Sequence, residues 1–152
     1  MKLNLKNATL AALLAVVPAM PVAFATGKPS GNLTPAERAA YQKKLFDLAD
    51  EKKDGKVTEK EFVIFLMYTM FTDYSKGDKT LTREQFMKAD PGTEAKNAAE
   101  WKMMDAKGKG FVTFREALRN KPAIEEMQAE FRKLDKSSKG YITVKDLPSV
   151  GN

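Results

Sequence analysis

The residues that could do chemistry are carboxylates, and they recur in a fixed order. Asp50, Asp54 and Glu61 stand at positions 1, 5 and 12 of a stretch that also holds Gly55, Val57 and Thr58. Residues 105–116 begin with Asp105, carry Gly110, Val112 and Thr113, and end on Glu116. Residues 135–146 begin with Asp135, carry Ser137, Gly140, Ile142 and Thr143, and end on Asp146. An eroded copy at 74–85 opens on Tyr74 and keeps Asp78, Leu81, Thr82 and Gln85. The sequence contains no cysteine and no histidine. Thiolate metal sites, cysteine nucleophiles and the commonest general base near neutral pH are therefore excluded. Any metal must be held by oxygen, which points to calcium or magnesium. No nucleophile–base set is present, so no enzyme is expected. Lysine is plentiful, but no groove-reading motif accompanies it, and no nucleic-acid partner is expected.

These stretches need helices on either side to hold them. Thr34-Pro35-Ala36-Glu37 opens the first, with threonine as N-cap, proline in the first turn and glutamate closing a capping box. Tyr41, Leu45, Phe46, Leu48 and Ala49 form its apolar stripe. Phe46, Trp101 and Phe131 each stand four residues before one of the acidic stretches, and Met70 stands before the eroded one. Every stretch also ends in Thr-x-x-acid or Thr-x-x-Gln, so its last residue has a second use as a helix cap without metal. Between stretches lie residues 62–73, 86–104 and 117–134. The first gap has room for a single shared helix of about 18 Å, which keeps the first two stretches at opposite ends. The longer gaps contain Pro91 and Pro122, which can split each into a short exit helix and a new helix, at Thr93–Met104 and Ala123–Leu134. Leu147-Pro148 stops the last exit helix within about one turn. Val57, Leu81, Val112 and Ile142 are expected to form short strands between paired stretches, with the third and fourth as the preferred pair. The segment Phe62–Phe71 is apolar nearly all round; it reads as a central core helix or as a face for a protein partner.

The repeated pattern resembles the EF-hand family, in an exported bacterial-type version with four hands. The resemblance implies an all-α fold of helix–loop–helix repeats, about four with at least one degenerate, joined by short β contacts between paired loops. It also implies ligands at loop positions 1, 3, 5, 7, 9 and 12, position 7 through its carbonyl. Carried over by position, these are Asp50, Asp54, the carbonyl of Lys56, Thr58 and Glu61 in the first loop. The third loop supplies Asp105 and Glu116, and the fourth Asp135, Ser137, Thr143 and Asp146. The second offers only Asp78 and Gln85 and is expected to bind nothing. Lys52, Lys76, Lys107, Lys109 and Lys139 occupy ligand positions. Each such lysine either points into water or lays its ammonium among the loop carboxylates in place of the ion. The short first gap resembles lanmodulin, an exported lanthanide-binding EF-hand protein. Proline at position 2 and acids at position 9 are missing here, so lanthanide selectivity is not implied.

Residues 1–25 read as a signal peptide: Lys2 and Lys6, an apolar run from Ala8 to Val17, and Ala23-Phe24-Ala25 as a small-x-small cleavage site. The run is too short for a comfortable membrane span. Cleavage removes two lysines and no acid, so the net charge falls from +6 to +4. Residues 26–32 read as a flexible lead-in and 33–152 as one EF-hand domain. The expectation is an exported calcium-binding protein, periplasmic or secreted, with weak or partial sites, acting as a sensor or buffer. The alternative is a metal-independent EF-hand scaffold that docks a protein or the cell envelope.

Overall fold

The computed structural model describes residues 34–90 and 92–147. The segments read as signal peptide and lead-in, together with Pro91 and Pro148, lie outside the described residues.

Capping chemistry three residues long sets most helix starts. Helix α1 (Pro35–Ala49) begins at Thr34, whose hydroxyl accepts from the Glu37 amide at 3.3 Å while the Glu37 carboxylate accepts the Thr34 amide at 2.8 Å. It is followed by β1 (Val57–Thr58) and α2 (Glu59–Tyr74), then β2 (Thr80–Thr82) and α3 (Arg83–Ala89). After α4 (Glu94–Met104) come β3 (Phe111–Thr113), the single turn α5 (Phe114–Ala117) and α6 (Lys121–Leu134). The chain closes with β4 (Tyr141–Ile142) and a 3₁₀ turn, Val144–Asp146. The molecule is thus mostly helical, with two small antiparallel sheets. The helix expected from Ala123 starts two residues earlier, because Asn120 caps it and Pro122 is accommodated in its first turn.

The loops do not pair as neighbours in sequence. Strand β1 pairs with β4, Val57 opposite Ile142 and Thr58 opposite Tyr141. Strand β2 pairs with β3, Leu81 opposite Val112. The four residues expected to build the strands therefore do so, each opposite its positional equivalent. The expected pairing of the third and fourth loops does not form. Helix α2, about 24 Å long, holds loops 1 and 2 at its two ends, and α5–α6 does the same for loops 3 and 4. The two connections run in opposite senses, so each loop meets the one at its own end.

Two cores follow from this arrangement. Phe46, Val57, Phe62, Leu66, Met67, Met127, Phe131 and Ile142 fill the end with loops 1 and 4. Phe71, Tyr74, Leu81, Phe86, Trp101, Met104 and Val112 fill the other. Met70 and Phe114 touch both. Phe62 meets the Phe131 ring edge-on at 5.6 Å, and Phe114 meets Tyr68 and Phe71 at 5.2 and 5.7 Å. Every residue from Phe62 to Phe71 is buried or half-buried. Helix α2 places buried side chains in both cores.

One polar network had no signal in the sequence. Asn120 caps α6 through its carbonyl, and its amide donates to Glu100 at 2.7 Å; both are buried. Lys96 approaches Glu100 at 3.4 Å and Glu126 at 3.1 Å. Asn97 donates to the Asp90 carbonyl at 3.0 Å, and the Gly92 amide donates to the Asp90 carboxylate at 2.9 Å. Burial nonetheless pushes the Asp90 carboxyl above its ordinary range.

Candidate metal centre

Loops 1, 3 and 4 share one backbone path. At position 1, the amides of Asp50, Asp105 and Asp135 close the preceding helix onto Phe46, Trp101 and Phe131 at 2.8–2.9 Å. That is the role of the aromatic four residues upstream: its side chain enters the core while its carbonyl ends the helix. The position-1 carboxylates are buried, at 4, 8 and 6% exposure. Each accepts the amides of positions 5 and 6. The distances are 3.2 and 2.8 Å in loop 1, 2.8 and 2.7 Å in loop 3, and 3.0 and 2.7 Å in loop 4. Positions 4 and 6 take positive φ in all three, as Lys53 and Gly55, Gly108 and Gly110, and Ser138 and Gly140. The position-6 glycine is thereby explained, since a side chain is strained there. Loop 2 departs from this path, its positive φ values falling at Lys76 and Gly77.

Position 12 is a cap in every loop. The Glu61 carboxylate accepts the Thr58 amide at 2.9 Å and its hydroxyl at 2.6 Å. Gln85 and Glu116 repeat the arrangement on Thr82 and Thr113, with amide contacts at 2.8 and 3.0 Å. Asp146 accepts the Thr143 amide at 2.8 Å and its hydroxyl at 2.9 Å, while its own amide donates to the Thr143 carbonyl at 3.0 Å. A 3₁₀ turn follows, where the other loops lead into α-helix.

What separates the loops is whether an ammonium group reaches the position-12 carboxylate. In loop 3 the Lys109 ammonium reaches Glu116 at 2.9 Å, and in loop 4 the Lys139 ammonium reaches Asp146 at 3.3 Å. Hydrogen bonds from Thr113 and Lys109 hold the Glu116 carboxyl down at about 2. Those from Thr143 and Lys139 lower Asp146 likewise. In loop 1, position 5 is Asp54. Glu61 Oε1 is buried there with no hydrogen-bond partner. Burial works against its charge, yet the Thr58 hydroxyl and amide and the field of exposed Lys52 prevail, so Glu61 titrates below its ordinary value. An anionic oxygen buried and unpaired is the atom a hard cation would satisfy.

The remaining expected ligands fall as follows. Asp54 is exposed and accepts the Lys56 amide at 3.0 Å. The Lys56 ammonium stands 4.8 Å from the Tyr141 ring centroid, across β1–β4. Ser137 and Asp78 are exposed, and Thr143 is half-buried. Among the described residues no three acidic side chains converge on one point. Asp50, Thr58 and Glu61 hold their places through backbone amides and caps instead. Lys52, Lys107, Lys109 and Lys139 are all exposed as whole residues, but it is Lys109 and Lys139, at position 5, whose ammonium groups reach the position-12 carboxylate of their own loop. The pattern Lys-Gly-aromatic in 109–111 and 139–141 is the sequence signal that marks them, since each ammonium also lies over its aromatic ring, at 4.5 and 5.1 Å.

Comparison with known proteins agrees with this geometry. Residues 43–66 match the family model described as EF hand. They run from within α1, across the whole of loop 1, to the first half of α2. That segment is an EF hand. No curated protein and no solved structure matches the chain. Among the described residues no helix is long and apolar enough to cross a membrane.

Proposed function

We propose that this is an exported EF-hand protein with four hands that binds calcium weakly, through loop 1, and acts as an ion-responsive sensor or buffer. The observation that carries the reading is Glu61 Oε1, a buried carboxylate oxygen with no partner at the position where an EF hand supplies its strongest ligand. Asp50, Asp54, the Lys56 carbonyl, Thr58 and Glu61 would hold the ion. When bound, calcium would supply positive charge to the Asp50, Asp54 and Glu61 carboxylates of one loop. Lys52 at position 3 opposes it, which places the affinity in the weak range of extracellular hands, about 10⁻⁴–10⁻³ M. Export rests on residues 1–25 and their cleavage pattern. Loop 2, with one carboxylate and a different backbone path, contributes a strand and a cap.

A second reading has its own support. Capping boxes and ammonium groups hold loops 2 to 4 in place by themselves, as a metal-independent scaffold requires. Titration calorimetry and a melting scan with calcium separate the two. The calcium reading expects one site and a melting point that climbs with ion concentration. A flat response at about 10 mM calcium leaves the scaffold.

A further inference from the structure

We propose that Lys109 and Lys139 are built-in cations that sit where the metal would in loops 3 and 4, so that each pair of loops contains one loop sealed by its own amine. The proposal extends the calcium reading, on which it rests for the identity of the displaced ion. Both lysines occupy position 5 and reach the position-12 carboxylate of the same loop, seven residues away. Their side chains are 31 and 32% exposed, against 46–73% for the other ion-paired lysines among the described residues. Each is pinned from outside by the aromatic ring at position 7. Inside each loop, Asp105 and Asp135 have their oxygens on backbone amides. The amine therefore meets the carboxylate that a metal would otherwise need most. The sealed loops pair with the others: loop 4 with loop 1, loop 3 with eroded loop 2.

A pair of charge-matched variants tests this. Lys109→Asp gives loop 3 the same ligand types as loop 1, position for position: Asp, Lys, Asp, carbonyl, Thr and Glu. Lys107→Asp adds the same charge and the same number of carboxylates but leaves the amine at position 5. The full mature chain is titrated with calcium chloride, following the amide signals of Gly55, Gly110 and Gly140 by NMR and the stoichiometry by calorimetry. In the unaltered protein Gly110 and Gly140 should stay still. In Lys109→Asp the Gly110 signal should move and the stoichiometry rise by one. The Lys107→Asp loop should bind at least about tenfold more weakly. Equal binding by the two variants shows that net charge, not the seated amine, closes the loop, and overturns the proposal. Movement of Gly110 or Gly140 in the unaltered protein, or a still Gly110 in Lys109→Asp, overturns it too. A motionless Gly55 instead defeats the calcium reading of loop 1, a separate failure.

Discussion

Glu61→Gln separates the two jobs given to one side chain. Loop 2 shows that glutamine can do the first. Gln85 accepts the Thr82 amide at 2.8 Å, and its own amide group turns to the Ser75 carbonyl at 3.4 Å. Without metal, the variant should therefore match the parent within about 0.5 kcal/mol, where full loss of a cap would cost about 0.5–2 kcal/mol. The second job is lost with the charge. At 10 mM calcium, a site of ~1 mM affinity stabilises the fold by about 1.4 kcal/mol, and one of ~0.1 mM by about 2.7 kcal/mol. For a domain of this size that is a rise in melting temperature of about 4–13 °C. The parent should show it and Glu61→Gln should not. The assay is a melting scan of both proteins in chelator and across a calcium series. A variant that still climbs with calcium would place the ion elsewhere. One that melts far below the parent in chelator would mean that the carboxylate is needed for the fold itself, and the division of roles would be wrong.

Three further outcomes follow from the same geometry. Lys52→Asp replaces an exposed amine beside Glu61 with a fourth loop carboxylate, and calorimetry should show tighter calcium binding by about tenfold or more; unchanged affinity would mean that loop geometry, not charge, sets the limit. In acid, Glu61, Glu116 and Asp146 should withdraw stability, because each titrates lower in the fold than its ordinary value of 4.5 or 3.8. Their contribution is complete above about pH 4.5 and is lost as pH falls, for Glu116 down to about 2; Asp90, raised by burial, acts in the opposite sense. Urea midpoints between pH 6 and pH 2.5, compared with those of Glu116→Gln, measure this: the variant should lose less on acidification. Gly92→Ala should destabilise by about 1–3 kcal/mol in urea melts, since a methyl there would stand 2.1 Å from Oδ1 of the buried Asn97 side chain.

What the sequence determined by itself lies within short spans of chain. Thr58 finds Glu61 three residues away, Asp50 finds Gly55 five away, and Phe46 ends its helix four residues on; such contacts need only local dihedrals, so their pattern is printed in the residue order. The equivalence of Val57, Leu81, Val112 and Ile142 was legible for the same reason. Tertiary structure decided which equivalent loops meet. A rigid 16-residue helix sends loops 1 and 2 apart, and the return through α6 brings loop 4 back to loop 1, a result that no local preference for the third and fourth loops could reveal. It also decided the lysines. Positions 3 and 5 lie two residues apart in one loop, and it is the folded path of the loop that brings the Lys109 and Lys139 ammonium groups to the position-12 carboxylate. The contacts of Asn97, Glu100 and Asn120 were invisible beforehand for the same reason. Long-range partners are set by where helices cross, and polar residues carry no period that announces a crossing.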